Sequence, residues 1–128
     1  MGKLFVEIPI LDIRRSLRNG KIIMVAHLMG RMIYRSDLYK LTITIPQEFV
    51  SDGASVPQIF WNICPPIDNY LEACIVHDWL CVTKLVNSVV AANIFKEAML
   101  DLNITNKKAW FMWKGVRWFG PRFEGKKV

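Results

Sequence analysis

The chain has no long uninterrupted apolar run. Its 128 residues are 52% hydrophobic with a mean hydropathy of +0.22. Nothing in it approaches the ~18 consecutive apolar residues of a membrane span, so a spanning helix is not expected. The chain has only three cysteines, an odd count. The start, MGKLFVEIPILDIRRS, has neither the long apolar core nor the small-residue cleavage site of a secretory leader. Reduced thiols are therefore expected rather than a disulfide framework. Gly2 is not followed by Ser or Thr at residue 6, so a myristoyl anchor is not expected either. There is no internal repeat and no low-complexity stretch.

Acidic residues are nearly absent from one end. From Thr105 onward, Lys107, Lys108, Lys114, Arg117, Arg122, Lys126 and Lys127 stand against Glu124 alone. Seven basic residues against one acidic residue give +6, the net charge of the whole chain. A basic end favours anionic partners: nucleic acid, a membrane surface or an acidic protein face.

At this length one domain is expected over residues 1–128, enough to bury a core. Residues 1–48 read as strands. Lys21–Leu28 is rich in Ile, Val and Met, and Tyr39–Ile45 alternates β-branched residues. Arg31–Arg35 continues the first strand or forms an edge. Residues 49–68 form a motif turn, a short helix and the Pro65-Pro66 loop, and three helices fill 69–120. The first spans Asn69–Lys84, with Asp68 or Asn69 as its cap. The second, Ser88–Leu102, puts Val89, Ala92, Phe95, Ala98 and Met99 on one apolar side. The third, Thr105–Phe119, opens on a Thr105 cap and stops at Gly120-Pro121. Residues 121–128 are a basic tail. The expected architecture is α+β: a small N-terminal antiparallel sheet packed with a short helix and three C-terminal helices.

The stretch Phe49–Trp61, FVSDGASVPQIFW, stands out because it places small and polar residues where plain core could lie. Asp52-Gly53 reads as a turn, because glycine supplies the positive φ such turns often need. Ser55 before Val56-Pro57 reads as a helix start: serine caps free N–H groups and proline fits the first turn. Ile59, Phe60 and Trp61 anchor the turn to the core. Further on, IVHDWL carries His77 and Asp78 inside an apolar helix.

FVSDGASVPQIFW, the Pro-Pro loop, HDWL, AANIFKEAM and a Trp-rich final helix together resemble a small phage- and prophage-borne family of unknown function. The likeness runs in order from about Tyr39 to Gly120. It implies an α+β domain of phage origin, with genes often among late tail and lysis functions. The family's signature falls here on Asp52, Ala54, Ser55, Pro57, Trp61, His77, Asp78 and Leu80. Two positions depart from it. Cys81 stands where the family usually has Tyr, and Ala92 where the next helix usually has Asp. If that Asp serves chemistry, this chain lacks it.

Three kinds of site are candidates. Histidine ordinarily titrates near neutrality and is the commonest general acid or base, which makes His77 a catalytic candidate. Asp52 could orient it, or both could hold a divalent metal with Asp78, and a cell-wall hydrolase is one use. Against this, Asp52, Gly53, Ser55, Pro57, Trp61 and His77 can form a structural clasp between turn and helix. Cys74, His77 and Cys81 fall at i, i+3 and i+7 on one helix face and are zinc-type ligands, but one helix rarely closes a tetrahedral site. No metal and no cofactor is expected. In the last helix Trp110, Trp113, Lys114, Arg117 and Trp118 mix aromatic and basic character. That mixture suits a protein partner first, a membrane surface second and nucleic acid third.

The expected function is a phage late protein acting by binding, a tail-associated or other virion component. It would be located in the virion, and in host cytoplasm before assembly. Its partners would be other phage proteins of tail or connector, with self-association open. The alternative is a small lysis or cell-wall hydrolase using His77 with Asp52 and Asp78.

Overall fold

A computed structural model describes residues 4–18, 20–51 and 71–125. Six strands precede three helices: β1 (Phe5–Glu7), β2 (Leu11–Arg18), β3 (Lys21–Leu28), β4 (Met32–Ser36), β5 (Leu41–Ile45) and β6 (Val50–Ser51), then α1 (Leu71–Thr83), α2 (Ser88–Asp101) and α3 (Asn106–Phe119). This is the α+β arrangement expected, with one refinement. The strands form two antiparallel three-stranded sheets, ordered β1-β4-β5 and β2-β3-β6. The motif turn's Asp52, Gly53, Ser55, Pro57 and Trp61, the short helix and the Pro-Pro loop all lie outside the described residues.

Local sequence accounts for the pairing. In β5, Ile43 and Ile45 are buried while Thr42 and Thr44 face out, the period-2 pattern of a sheet with one face on a core. In β4, Met32, Tyr34 and Ser36 take the inward positions opposite them. Gly20, at φ 76°, turns β2 into β3, a conformation glycine adopts without strain. Chain reversal then brings β6 alongside β3, with Ala26 opposite Ser51 and His27 opposite Val50.

Capping side chains set the helix ends. Asn87 accepts the Val90 N–H at 2.9 Å and starts α2. That helix ends with Asn103 at φ 64°. The Ile104 N–H reaches the Met99 carbonyl and the Asn103 N–H reaches Leu100, so the last carbonyls are satisfied. Thr105 accepts the Lys108 N–H and starts α3, which closes at Gly120.

The core lies between the sheets and α1–α2, with Leu28, Met32, Tyr34, Ile43, Ile45, Ile75, Leu80, Ile94, Phe95 and Met112 fully enclosed. One expectation about α2 fails. Ala92, Phe95, Ala98 and Met99 are buried, but Val89 in the first turn is exposed, because Val90 and Ala91 take the inward side there. No helix among the described residues is long and apolar enough to cross a membrane.

Candidate functional site

The sequence of α1, LEACIVHDWLCVT, is apolar on nearly every side, and the fold uses it that way. Ala73, Cys74, Ile75, Val76, His77, Asp78 and Leu80 are all buried. A helix apolar all round belongs inside a protein, so its two consecutive polar residues are carried in with it. His77 is 3% exposed and Asp78 5%.

The two side chains meet different elements, because consecutive helix residues point about 100° apart. His77 turns to α2, where its ring lies 5.1 Å from that of Phe95 with the planes tilted by 38°. Asp78 turns to β6, where the Ser51 hydroxyl donates to its carboxylate. One turn beyond His77, the Cys81 sulfur is 3.8 Å from Nδ1 and 3.9 Å from Nε2. Near-equal distances put it in line with neither nitrogen's lone pair. Burial pushes the His77 pKa down to about 4, because a charged imidazolium is poorly solvated there. The imidazole is therefore neutral at pH 7.

Cys74 is buried too, and its thiol is pushed well up, first by burial and then by the negative charges of Asp78 and Glu72. A thiol held protonated is a poor nucleophile and a poor metal ligand. Among the described residues, no group of three or more His, Cys, Asp or Glu side chains is placed to hold a metal ion. On the helix face that carries Cys74, His77 and Cys81, the first two are buried and Cys81 is half-buried. Asp52, the other candidate partner of His77, lies outside the described residues.

Some neighbours carry no signal in isolation. Ser51 stands beside Asp52 in the motif, and its role emerges only from the β3–β6 pairing. The edge of Phe49 against Trp79, 5.1 Å between centroids, closes the same corner. Away from it, His27 lines a cleft of about 300 Å³ with Arg14, Leu28, Met29, Gln47 and Glu48.

The aromatic set of α3 divides. Trp113 is half-buried and donates to Asn93 Oδ1 at 2.9 Å, while Asn93 donates to the Tyr39 hydroxyl at 2.8 Å. That relay fastens α3 to α2 and to the turn between β4 and β5. Trp110 and Trp118 instead face solvent, 47% and 50% exposed, and Phe119 is 71% exposed. Lys114 Nζ lies 4.9 Å over the Trp110 ring, and the Arg117 guanidinium lies 4.9 Å over that of Trp118.

A family model described as protein of unknown function DUF1353 matches residues 26–116. The chain belongs to that family. The DUF1353 match runs from Ala26, near the end of β3, through β4 to β6 and the helices as far as Val116, so both halves of the Ser51–Asp78 contact fall inside it. Two curated relatives come from Sinorhizobium fredii (strain NBRC 101917 / NGR234). The uncharacterized protein y4iH is 30% identical over 79 residues, 60% of this chain and 33% of the relative. The uncharacterized protein y4jT is 36% identical over 72 residues, 55% of this chain and 21% of the relative. The aligned stretch thus spans a third or less of each relative's length. No solved structure matches the chain.

Proposed function

We propose that this DUF1353 chain works by binding rather than by catalysis, as a tail-associated or other structural component of a phage particle. The observation that carries the first half is the division of His77 and Asp78 between two elements. A general base needs access to its substrate. His77 is enclosed against Phe95 of α2, and Asp78 is engaged with Ser51 of β6. Ala92, where the resembled family usually has Asp, is fully buried three residues before Phe95. The polar residues of α1 therefore serve as a clasp that joins β6, α1 and α2.

The phage half rests on the likeness of the motif series to a phage- and prophage-borne family. The implied partners are other phage proteins of the tail or connector, and the implied location is the virion, with host cytoplasm before assembly.

The second reading is a small lysis or cell-wall hydrolase using His77 with Asp52 and Asp78. It draws on one fact: Ser51, the partner of Asp78, directly precedes Asp52 in the chain.

Mass spectrometry of density-purified particles separates the two. The virion reading expects the chain at a small symmetric copy number relative to the major capsid protein. Absence from particles removes that reading and turns attention to hydrolysis.

A further inference from the structure

The solvent side of α3 is one continuous stripe. Lys107, Trp110, Lys114 and Arg117 follow one another at steps of three, four and three, and Trp118 stands four residues beyond Lys114, so all five fall within an arc of about 100° on one side of the helix. The opposite stripe, Ala109, Met112, Gly115 and Val116, is buried and fixes the helix to the body. Trp110 and Trp118 are thus about 12 Å apart along a rigid axis, with Lys114 between them. Across Asn106–Phe119 there is no acidic residue to offset Lys107, Lys108, Lys114 and Arg117. Arg122, whose guanidinium donates to the Trp118 carbonyl at 3.1 Å, extends the positive charge past the helix end.

We propose that this face is a docking site for an anionic phospholipid surface, with α3 lying in the plane of the headgroups. The inference deepens the binding reading by naming a surface the protein attaches to, and it rests on that reading. Three features select lipid. The cations are interleaved with the aromatics instead of forming a rim, with Lys114 over Trp110 and Arg117 over Trp118. A dry protein interface core is depleted of lysine, and two of the three cations on this face, Lys107 and Lys114, are lysines. A headgroup layer accepts both at one depth: indole rings settle at the boundary and lysine stems carry their charge to the phosphates.

Nucleic acid is disfavoured by the same geometry. Bases stack on open aromatic faces, and here a cation of the same helix lies over each exposed tryptophan ring. Because α3 is pinned along its buried stripe, attachment is at the surface and orders no new helix. Little conformational entropy is then lost on docking.

The test is cosedimentation of the full chain with vesicles of equal parts phosphatidylglycerol and phosphatidylcholine, against pure phosphatidylcholine. Binding to the anionic vesicles is expected at low salt, with a blue shift of tryptophan emission, and it should fall as salt rises. Combined Lys107→Gln, Lys108→Gln, Lys114→Gln and Arg117→Gln should weaken it roughly a thousandfold. Trp110→Ser with Trp118→Ser should weaken it roughly tenfold with an unchanged circular dichroism spectrum, since both rings are exposed. Failure of the wild-type chain to bind anionic vesicles at low salt overturns the proposal, as does equal binding by the four-fold variant. If vesicles are ignored but the double tryptophan variant drops out of purified particles, the face docks on a protein. The lipid assignment is then wrong, while the particle reading stands.

Discussion

Ser51 donates its hydroxyl to the buried carboxylate of Asp78, joining the last residue of β6 to the middle of α1. The bond spans the approach to the motif segment and its exit, since Ser51 stands just before residue 52 and α1 begins at Leu71. It fixes both ends of that segment relative to each other. Its energetic weight is asymmetric. A neutral hydrogen bond contributes about 1 kcal/mol net, but removing a donor to a buried carboxylate costs more.

Ser51→Ala is accordingly expected to lower unfolding free energy by about 1–3 kcal/mol. Urea denaturation followed by circular dichroism measures it. A change within experimental error would mean that Asp78 is held by other groups and that Ser51 is incidental.

His77 makes stability depend on pH. Its folded pKa, about 4, lies below the ordinary value of 6.5. Between those values the unfolded chain binds the proton more tightly, so stability rises with pH there. The contribution is fully present above about 6.5 and is lost as pH falls through about 4. Its full size is roughly 3 kcal/mol. Urea midpoints from pH 7 down to pH 4 should therefore fall for the wild-type chain and fall less for His77→Phe. Parallel curves would show that His77 is not the group responsible.

The two cysteines of α1 should differ in reactivity. Cys74 is buried with its thiol held protonated, whereas Cys81 is only half-buried. Under native conditions iodoacetamide is expected to label Cys81 first and to reach Cys74 only on unfolding. Peptide mass spectrometry reads the order. Early labelling of Cys74 would show that the interior of α1 opens readily.

Trp113 and Trp110 test the division of the aromatic set. Trp113→Phe removes the donor to Asn93 and should cost about 1 kcal/mol of stability. Trp110→Phe, on the solvent side, should stay within about 0.5 kcal/mol of wild type. Equal effects would place both rings in the same kind of environment.

Much of the framework was legible in local pattern. Lys21–Leu28 is a strand over the expected residues, and the last two helices fall within one residue of their expected bounds, because caps such as Thr105 act locally. The strand β2 was not singled out. Its alternation of Leu11, Ile13 and Leu17 with Asp12, Arg14, Ser16 and Arg18 is broken only by Arg15, and the Asn19-Gly20 pair that follows is a hairpin signal that went unused. The split into two sheets was not legible either. Alternation says which face of a strand is buried, not that β1 pairs with β4 across the intervening hairpin.

For the site, His77 and Asp78 were visible as polar residues in an apolar helix. Their separation between Phe95 and Ser51 was not, because it depends on what packs on each side of α1. Trp113 looked like a partner of the exposed tryptophans in spacing. Its Asn93 acceptor, twenty residues earlier on another helix, shows that it belongs to the fold.

The central claim is that the polar cluster of α1 holds the fold and does no chemistry. His77→Ala tests it most directly when stability and peptidoglycan hydrolysis are measured on the same preparation. The account predicts a loss of about 1–3 kcal/mol and no hydrolysis from either the wild-type or the variant chain. Hydrolysis by the wild-type chain that vanishes in an equally stable His77→Ala would contradict it.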